Sequence, residues 1–372
     1  MYDFVVVGQG LSGLLSAIWA TEHGKRVALV AQGTGKILQS SGVMELYPQR
    51  SERKKSISKL RLEEALLKFK GLMKELDYPY HGKADQSIPI VTGAGYVKET
   101  NLYPDTIRPL PENGHVVIVG FHEIMDFQPA YIKGNLQKER PALTIDTITV
   151  RLGKGSLRTM TQHDGARILD FKEARETVIK EIKEQLQKQN IKTPDLFIFP
   201  ASLGMRNWQE VVGELRSSLG TEVTEAPGMP PNTTAIRLHE VLLKEAVNRS
   251  VRFYSDTKVI GCHVDSDIVT SLVIKNSSKT MELQGKQYMI ATGGILGGGL
   301  EVTEDGLVDK TLNLTVDAYG RFVHCPLNVF PIGATEGTDV TEHGITGGLY
   351  SVLSSYESYI RLEERGMKHA SL

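Results

Sequence analysis

Only two of the 372 residues are cysteine, Cys262 and Cys325. That is too few for a disulfide scaffold, and too few thiolates to hold an iron–sulfur cluster alone. Neither thiol stands in a His/Cys cluster, so no metal site is expected. No apolar run reaches about 18 residues, which leaves no candidate membrane-spanning helix. The first apolar stretch is interrupted by Asp3, Gly8 and Gly10, and this argues against a secretory signal. Neither sign of charge is in surplus: 43 Lys+Arg stand against 44 Asp+Glu, a formal net charge of -1. A dedicated nucleic-acid binder needs a basic surplus, so that class is not expected. There is no internal repeat and no low-complexity segment. The chain reads as a soluble cytoplasmic protein of about two domains, taking roughly 150 residues for each.

Glycine is not scarce, and its placement is informative. Tyr2–Val7 is a short apolar strand, Leu11–His23 an apolar helix stopped by Gly24, and Arg26–Ala31 a second buried strand. Between strand and helix lies Gly8-Gln9-Gly10-Leu11-Ser12-Gly13, a G-x-G-x-x-G in the context that a dinucleotide fingerprint requires. Such glycines permit the tight turn, let a phosphate reach the backbone, and let helix and sheet pack closely. The phosphate would rest on the free N–H groups of the helix start. One element is missing. The second strand ends Val30-Ala31-Gln32-Gly33, without the acid that takes the ribose hydroxyls of an adenosine half. Gln32 is left as a weaker ribose partner.

Further along, Leu60–Leu76 has helical spacing with a charged reverse face, after a basic stretch from Arg50 to Lys59. From residue 78 to residue 231, Pro-rich loops separate strands at Val116–Gly120, Leu143–Val150, Leu196–Pro200 and Glu222–Ala226. Helices are expected at Asp170–Gln189 and Trp208–Leu219, and this block reads as an inserted α/β domain. Thr233–Val247 is a helix with Asn232 as its N-cap. The chain then turns to a β-meander: Arg252–Tyr254, Lys258–Asp265, Ile268–Lys275, Thr280–Leu283 and Gln287–Ala291. A strand at Val329–Ile332 and a helix from about Ile345 close it. The expected fold is α/β: a Rossmann-like flavin-binding domain of residues 1–77 and 232–372, with β-α-β unit, meander and C-terminal helix, carrying the inserted domain 78–231.

Two later segments point to flavin rather than nicotinamide. Ile290-Ala291-Thr292-Gly293-Gly294 resembles the strand-end crossing that many two-dinucleotide-domain flavoproteins place near the cofactor. Phe330-Pro331-Ile332-Gly333-Ala334, followed by Gly344-Ile345-Thr346-Gly347-Gly348, resembles their C-terminal flavin segment. There an Asp normally follows the first Gly; here Ala334 stands in its place. The alternative is that Gly347 and Gly348 only let the last helix pack tightly.

With those segments in place, the chain resembles the B-subunit family of the three-subunit anaerobic glycerol-3-phosphate dehydrogenase. The resemblance runs nearly end to end. It rests on Val5 to Leu15 with Ser40-Ser41-Gly42, on Val119-Gly120 to Met125-Asp126-Phe127-Gln128, and on Phe199-Pro200-Ala201 to Gly204. It continues in Pro230-Pro231 with Ile236-Arg237-Leu238, in Ala291 to Leu300, and from Ile332-Gly333 to Gly347-Gly348. The chain is shorter than the family pattern around residues 90–110 and 305–325. The resemblance implies an FMN-binding flavin subunit, FAD being the alternative occupant. It implies an FAD-containing catalytic partner that oxidises sn-glycerol 3-phosphate to dihydroxyacetone phosphate. It also implies an iron–sulfur partner that passes electrons to quinone, so that the membrane is reached only through partners. The missing acid at Ala31/Gln32 agrees with FMN, which has no adenosine.

The expected cofactor residues are Gly8, Gly10, Leu11, Ser12, Gly13, Gln32, Ser40, Ser41, Gly42, Thr292, Gly293, Gly333, Ala334, Gly347 and Gly348. The catalytic candidates are His343, just before the last helix, and Arg237, which either binds a phosphate or the flavin or pairs with Glu240. Asp126 reads as a helix N-cap. Two other functions stay open: a self-contained flavin oxidoreductase acting on another hydroxy or amino substrate, and a cofactor-free scaffold protein of the same complex.

Overall fold

A computed structural model describes residues 1–45, 59–153, 158–304, 306–317, 322–336 and 348–370. In chain order the main elements begin with β1 (Tyr2–Val7), α1 (Leu11–Thr21), β2 (Val27–Val30) and α2 (Lys59–Glu75). Next come β3 (Gly114–Phe121), α3 (Pro129–Glu139), β4 (Leu143–Val150), α4 (Gln162–Leu169) and α5 (Lys172–Lys188). Then follow β5 (Leu196–Pro200), α6 (Trp208–Leu219), β6 (Glu222–Ala226) and α7 (Thr233–Asn248). The series ends with β7 (Arg252–Tyr254), β8 (Lys258–Asp265), β9 (Ile268–Lys275), β10 (Thr280–Ile290), β11 (Val329–Pro331) and α8 (Gly348–Ala370). Contacts divide the chain into two units. The first holds residues 1–37, 45–76 and 239–372; the second holds 38–44 and 77–238. Against the expected boundaries, residues 38–44, 77 and 232–238 go to the second unit.

The first unit is built on a sheet in the order β7-β2-β1-β10-β9-β8, with β11 also paired to β10. β1 runs parallel to both β2 and β10, and β10 parallel to β11, which is the Rossmann-like part. β8, β9 and the first half of β10 form the antiparallel meander. Two of the expected strands are here one. Gln284-Gly285-Lys286 reads as a turn, yet β10 passes straight through it, pairing with β9 up to Gln284 and with β1 from Gly285 onward. A change of partner has no periodicity of its own, so it leaves no mark in the sequence. One face buries Val5, Val7, Ala28, Val30, Leu272, Ile274, Tyr288 and Ile290. α1 is almost wholly apolar, with Leu14, Leu15, Ile18 and Trp19 fully buried. Trp19 meets the edges of Tyr356 and Tyr359 on α8, each at 6.3 Å between ring centroids, and Lys68 of α2 stands 4.1 Å over the Tyr359 ring.

The second unit has its own sheet, β6-β5-β3-β4, entirely parallel. That order is a doubly wound half-sheet with α3, α4, α5 and α6 as its crossovers. α4 was not expected as a separate helix. A capping box between Thr161 and Asp164 starts it, and the Asp170 carboxylate, just past its end, accepts the N–H groups of Met205, Arg206 and Asn207 leading into α6. Asp126 is not an N-cap, contrary to expectation. α3 begins at Pro129 after Gln128, and Asp126 instead accepts from Gln162 Nε2 at 3.2 Å. Proline needs no N–H partner at a first helical position, so the cap is dispensable there. Two short antiparallel pairs, Tyr80–Gly82 with Leu102–Pro104 and Ile88–Val91 with Val97–Thr100, complete the unit.

In the first unit a small hairpin, Leu300–Thr303 with Gly306–Asp309, carries a buried carboxyl. Asp309 Oδ2 accepts the Thr311 and Leu312 N–H groups at 3.1 and 2.6 Å, while Oδ1 is buried without a partner. Burial pushes this carboxyl up from 3.8 to about 6. An unfolded chain therefore ionises Asp309 near pH 4, whereas the native one holds its proton to about pH 6. Stability should fall as pH rises through that window, by about 3 kcal/mol in all. Asp309→Asn should flatten the urea-unfolding stability between pH 4 and pH 7; an unchanged slope would show that the carboxyl does not titrate this way.

Candidate functional site

The first-unit site grows from the end of β1. Gly8 has φ +110 and donates its N–H to the Val30 carbonyl at 2.8 Å. A β-carbon on Gly8 would overlap the Ala291 carbonyl, and one on Gly13 would overlap the Gly8 carbonyl. These two glycines let β1, α1 and the end of β10 pass within backbone contact. Gly10 differs: among the described residues, no atom lies within 4 Å of where its β-carbon would stand. It is the N-cap of α1, with no side-chain cap and no acid in the first turn. The positive end of the helix therefore carries first-turn N–H groups that no side chain caps, suited to an anion. Leu11 and Ser12 open that helix.

From the other side of the turn, Gly333 (φ +61) approaches Ser12 so closely that a β-carbon would overlap the serine hydroxyl. Its N–H donates to Ser354 Oγ at 2.8 Å, and Ser355 Oγ donates to the Ser12 carbonyl at 3.0 Å, so α8 fixes this junction. Thr292 and Gly293 join it through Thr335. The Gly293 N–H donates to Thr335 Oγ1 at 2.8 Å, and the two threonine hydroxyls stand 3.4 Å apart. Thr335, fully buried, was missed in the sequence reading. Its only signal was a hydroxyl one residue after Ala334, beside the place where an Asp was expected. Gly8, Gly10, Leu11, Ser12, Gly13, Thr292, Gly293, Gly333 and Ala334 are thus brought to one place, and Gly348 begins α8.

The end of β2 offers no acid to a ribose. Ala31 is 5% exposed, its N–H donates to the Tyr254 carbonyl, and its carbonyl accepts from Thr257 N–H. Gln32 is exposed beyond it. Gln9 Nε2 donates to the Gly33 carbonyl at 2.7 Å, and Gly35 packs on the Gly10 backbone. The residues present fit a phosphate at the α1 start, and offer an amide where a carboxylate is usual.

Ser40, Ser41 and Gly42 belong to the second unit, where the Ser40 and Ser41 carbonyls accept from Asn232 Nδ2 and Thr234 Oγ1. His343 and Gly347 lie outside the described residues. Arg237 pairs with Glu225 rather than with Glu240. It is 2% exposed, and its guanidinium bonds Glu225 through two contacts of 2.7 and 2.8 Å and the Gly204 carbonyl at 2.7 Å. Burial opposes its charge, but the Glu225 carboxylate more than offsets this and holds it above the ordinary arginine value. A guanidinium so enclosed has no face for a phosphate.

Cys262 and Cys325 are part-buried free thiols; burial pushes both up, Cys325 to about 11, with the Asp309 charge adding to it. Among the described residues, no group of three or more His, Cys, Asp or Glu is arranged to hold a metal, and no helix is long and apolar enough to cross a membrane.

Two predictions separate these roles. Gly10→Glu should leave the fold intact and abolish anion binding at the α1 start, whereas Gly13→Ala should lower the melting temperature; equal stability of the two variants would contradict the packing described. Arg237→Met should destabilise the chain by about 3–5 kcal/mol in denaturant unfolding, because it leaves Glu225 buried and uncompensated. Lost activity at full stability would return Arg237 to the catalytic candidates.

Comparison with known proteins follows the same outline. Residues 3–81 match the family model of an FAD binding domain. The chain is similar to the B subunit of the anaerobic glycerol-3-phosphate dehydrogenase of Vibrio cholerae, 25% identical over 85% of this chain and 78% of that one. The corresponding B subunit from Pectobacterium carotovorum is 24% identical over 85% of this chain and 80% of its own length. Among solved structures, 3-ketosteroid delta1-dehydrogenase from Sterolibacterium denitrificans aligns at 17% identity, covering 79% of this chain and 48% of that one. Its TM-score is 0.31.

Proposed function

We propose that this chain is the flavin-binding component of a multi-subunit glycerol-3-phosphate dehydrogenase. The observation that carries the reading is the open, uncapped start of α1 at Gly10, framed by crossings at Gly8, Gly13 and Gly333 that only glycine allows. Similarity to the Vibrio cholerae B subunit over 85% of the chain supplies the substrate class. When bound, a flavin accepts electrons in pairs and releases them singly. The protein's part is to bind and orient it. The first-turn N–H groups of α1 take its phosphate, Ser12 and Gly333 hold the two segments that flank it, and Thr335 fixes the Thr292–Gly293 peptide. In this reading an FAD-containing partner oxidises sn-glycerol 3-phosphate, and an iron–sulfur partner carries the electrons on to quinone. Those partners also supply any attachment to the membrane.

FAD is the proposed occupant, favoured by the match of residues 3–81 to an FAD binding domain. The adenosine half then rests on Gln32 and backbone groups. The second reading is FMN, favoured by the missing acid at Ala31. The released flavin separates them. Purified protein should show a flavin absorption spectrum and, after denaturation, yield FAD at about one per chain by chromatography. FMN at the same ratio would establish the second reading, and no flavin after reconstitution with both would leave a cofactor-free scaffold protein.

A further inference from the structure

The second unit contains a polar helix end of its own. Asn232 directly precedes α7, and its carbonyl accepts the Ile236 N–H at 2.9 Å. The N–H groups of Thr233, Thr234 and Ala235 precede that first helical bond. The Ser40–Gly42 segment lies against this end. Asn232 Nδ2 donates to the Ser40 carbonyl at 3.0 Å and Thr234 Oγ1 to the Ser41 carbonyl at 2.7 Å. Gly42, at φ +73, packs on the Thr234–Ala235 peptide. Lys98 Nζ donates to Ser41 Oγ at 3.2 Å and brings a positive charge to the same place.

Two polar atoms here have no partner among the described residues. Asn232 Oδ1 and Thr233 Oγ1 are both buried and unbonded, on residues 3% and 0% exposed. The Asn232 amide is held at the helix mouth by its bond to Ser40, so its Oδ1 lies there too. A buried hydroxyl or amide oxygen without a partner works against folding, and an apolar isostere would serve the fold better. The surroundings, in contrast, are rigid. Tyr78 OH donates to the Thr234 carbonyl at 3.1 Å, Tyr80 OH to the Gly42 carbonyl at 2.7 Å, and Arg237, one turn along α7, is clamped by Glu225. Relaxation of a loose loop does not account for the two orphaned atoms.

We propose that this end of α7 binds a small hydroxylated anion, of the polyol phosphate class. Its anionic oxygens take the first-turn N–H groups and the Lys98 ammonium, its hydroxyl donates to Asn232 Oδ1, and Thr233 Oγ1 completes the contact. Exposed Ser40 forms the outer wall of this end. The choice of probe rests on the function proposed above; the site itself does not.

The test is calorimetric titration of the purified full chain, with its flavin, against sn-glycerol 3-phosphate, sulfate and glycerol. Sulfate offers charge without a hydroxyl donor, and glycerol offers hydroxyls without charge. Glycerol 3-phosphate should bind at least about tenfold more tightly than either. Thr233→Val should weaken that binding by about tenfold, with the melting temperature unchanged or raised and the flavin content unchanged. Equal binding of sulfate and glycerol 3-phosphate would overturn the proposal, and this comparison needs no variant to fold. A lowered melting temperature with binding unchanged in Thr233→Val would also overturn it, making the hydroxyl structural. Normal flavin content without glycerol 3-phosphate binding removes this site alone, whereas absent flavin removes the proposed function.

Discussion

The first unit depends on one steric constraint: three backbone segments must pass where no side chain fits. The end of β1, the first turn of α1 and the end of β10 meet at Gly8, Gly13 and Ala291, with carbonyl oxygens standing where β-carbons would be. The parallel pairing of β1 with both β2 and β10 brings those segments together. Gly333 repeats the same solution against Ser12. Because the crossings are closed by backbone, the opening at the junction lies over Gly10, and there the helix presents uncapped N–H groups. The same packing thus both stabilises the unit and creates its anion-binding end.

The second unit is organised around charge instead. Arg237 and Glu225, 2% and 0% exposed, form a bidentate pair joining α7 to the end of β6, and Glu225 Oε1 also accepts the Leu203 N–H at the end of β5. Such a pair is a poor source of net stability, because desolvation offsets most of the attraction. It does specify a geometry, since any other docking of α7 would leave a bare charge inside. That explains why the first turn of α7 is held firmly enough for its polar atoms to remain unpartnered in the protein itself.

Much of this was legible in the residues. The Gly8–Gly13 spacing after Tyr2–Val7 announced the β-α-β unit, and periodicity located α1, α6, α7 and the four strands of the second sheet nearly to the residue. The absent acid at Ala31 was visible, whereas the backbone pairing of Ala31 with Tyr254 and Thr257 was not. Local pattern misled where a strand changed partners at Gly285, and at Asp126, where Pro129 made a cap dispensable. α4 went unseen because eight residues give too short a period to read.

By itself, then, the sequence determined what depends on neighbours along the chain: the alternation of strands and helices, the glycine turn, and the uncharged end of β2. The tertiary structure alone decided which distant groups meet. Thr335 reaches Gly293, Ser40 and Ser41 fall in the second unit against Asn232 and Thr234, and Arg237 closes on Glu225 rather than Glu240. Hydrogen bonds and ion pairs between residues far apart follow from how helices dock on sheets, and that geometry has no period in the sequence from which it can be read.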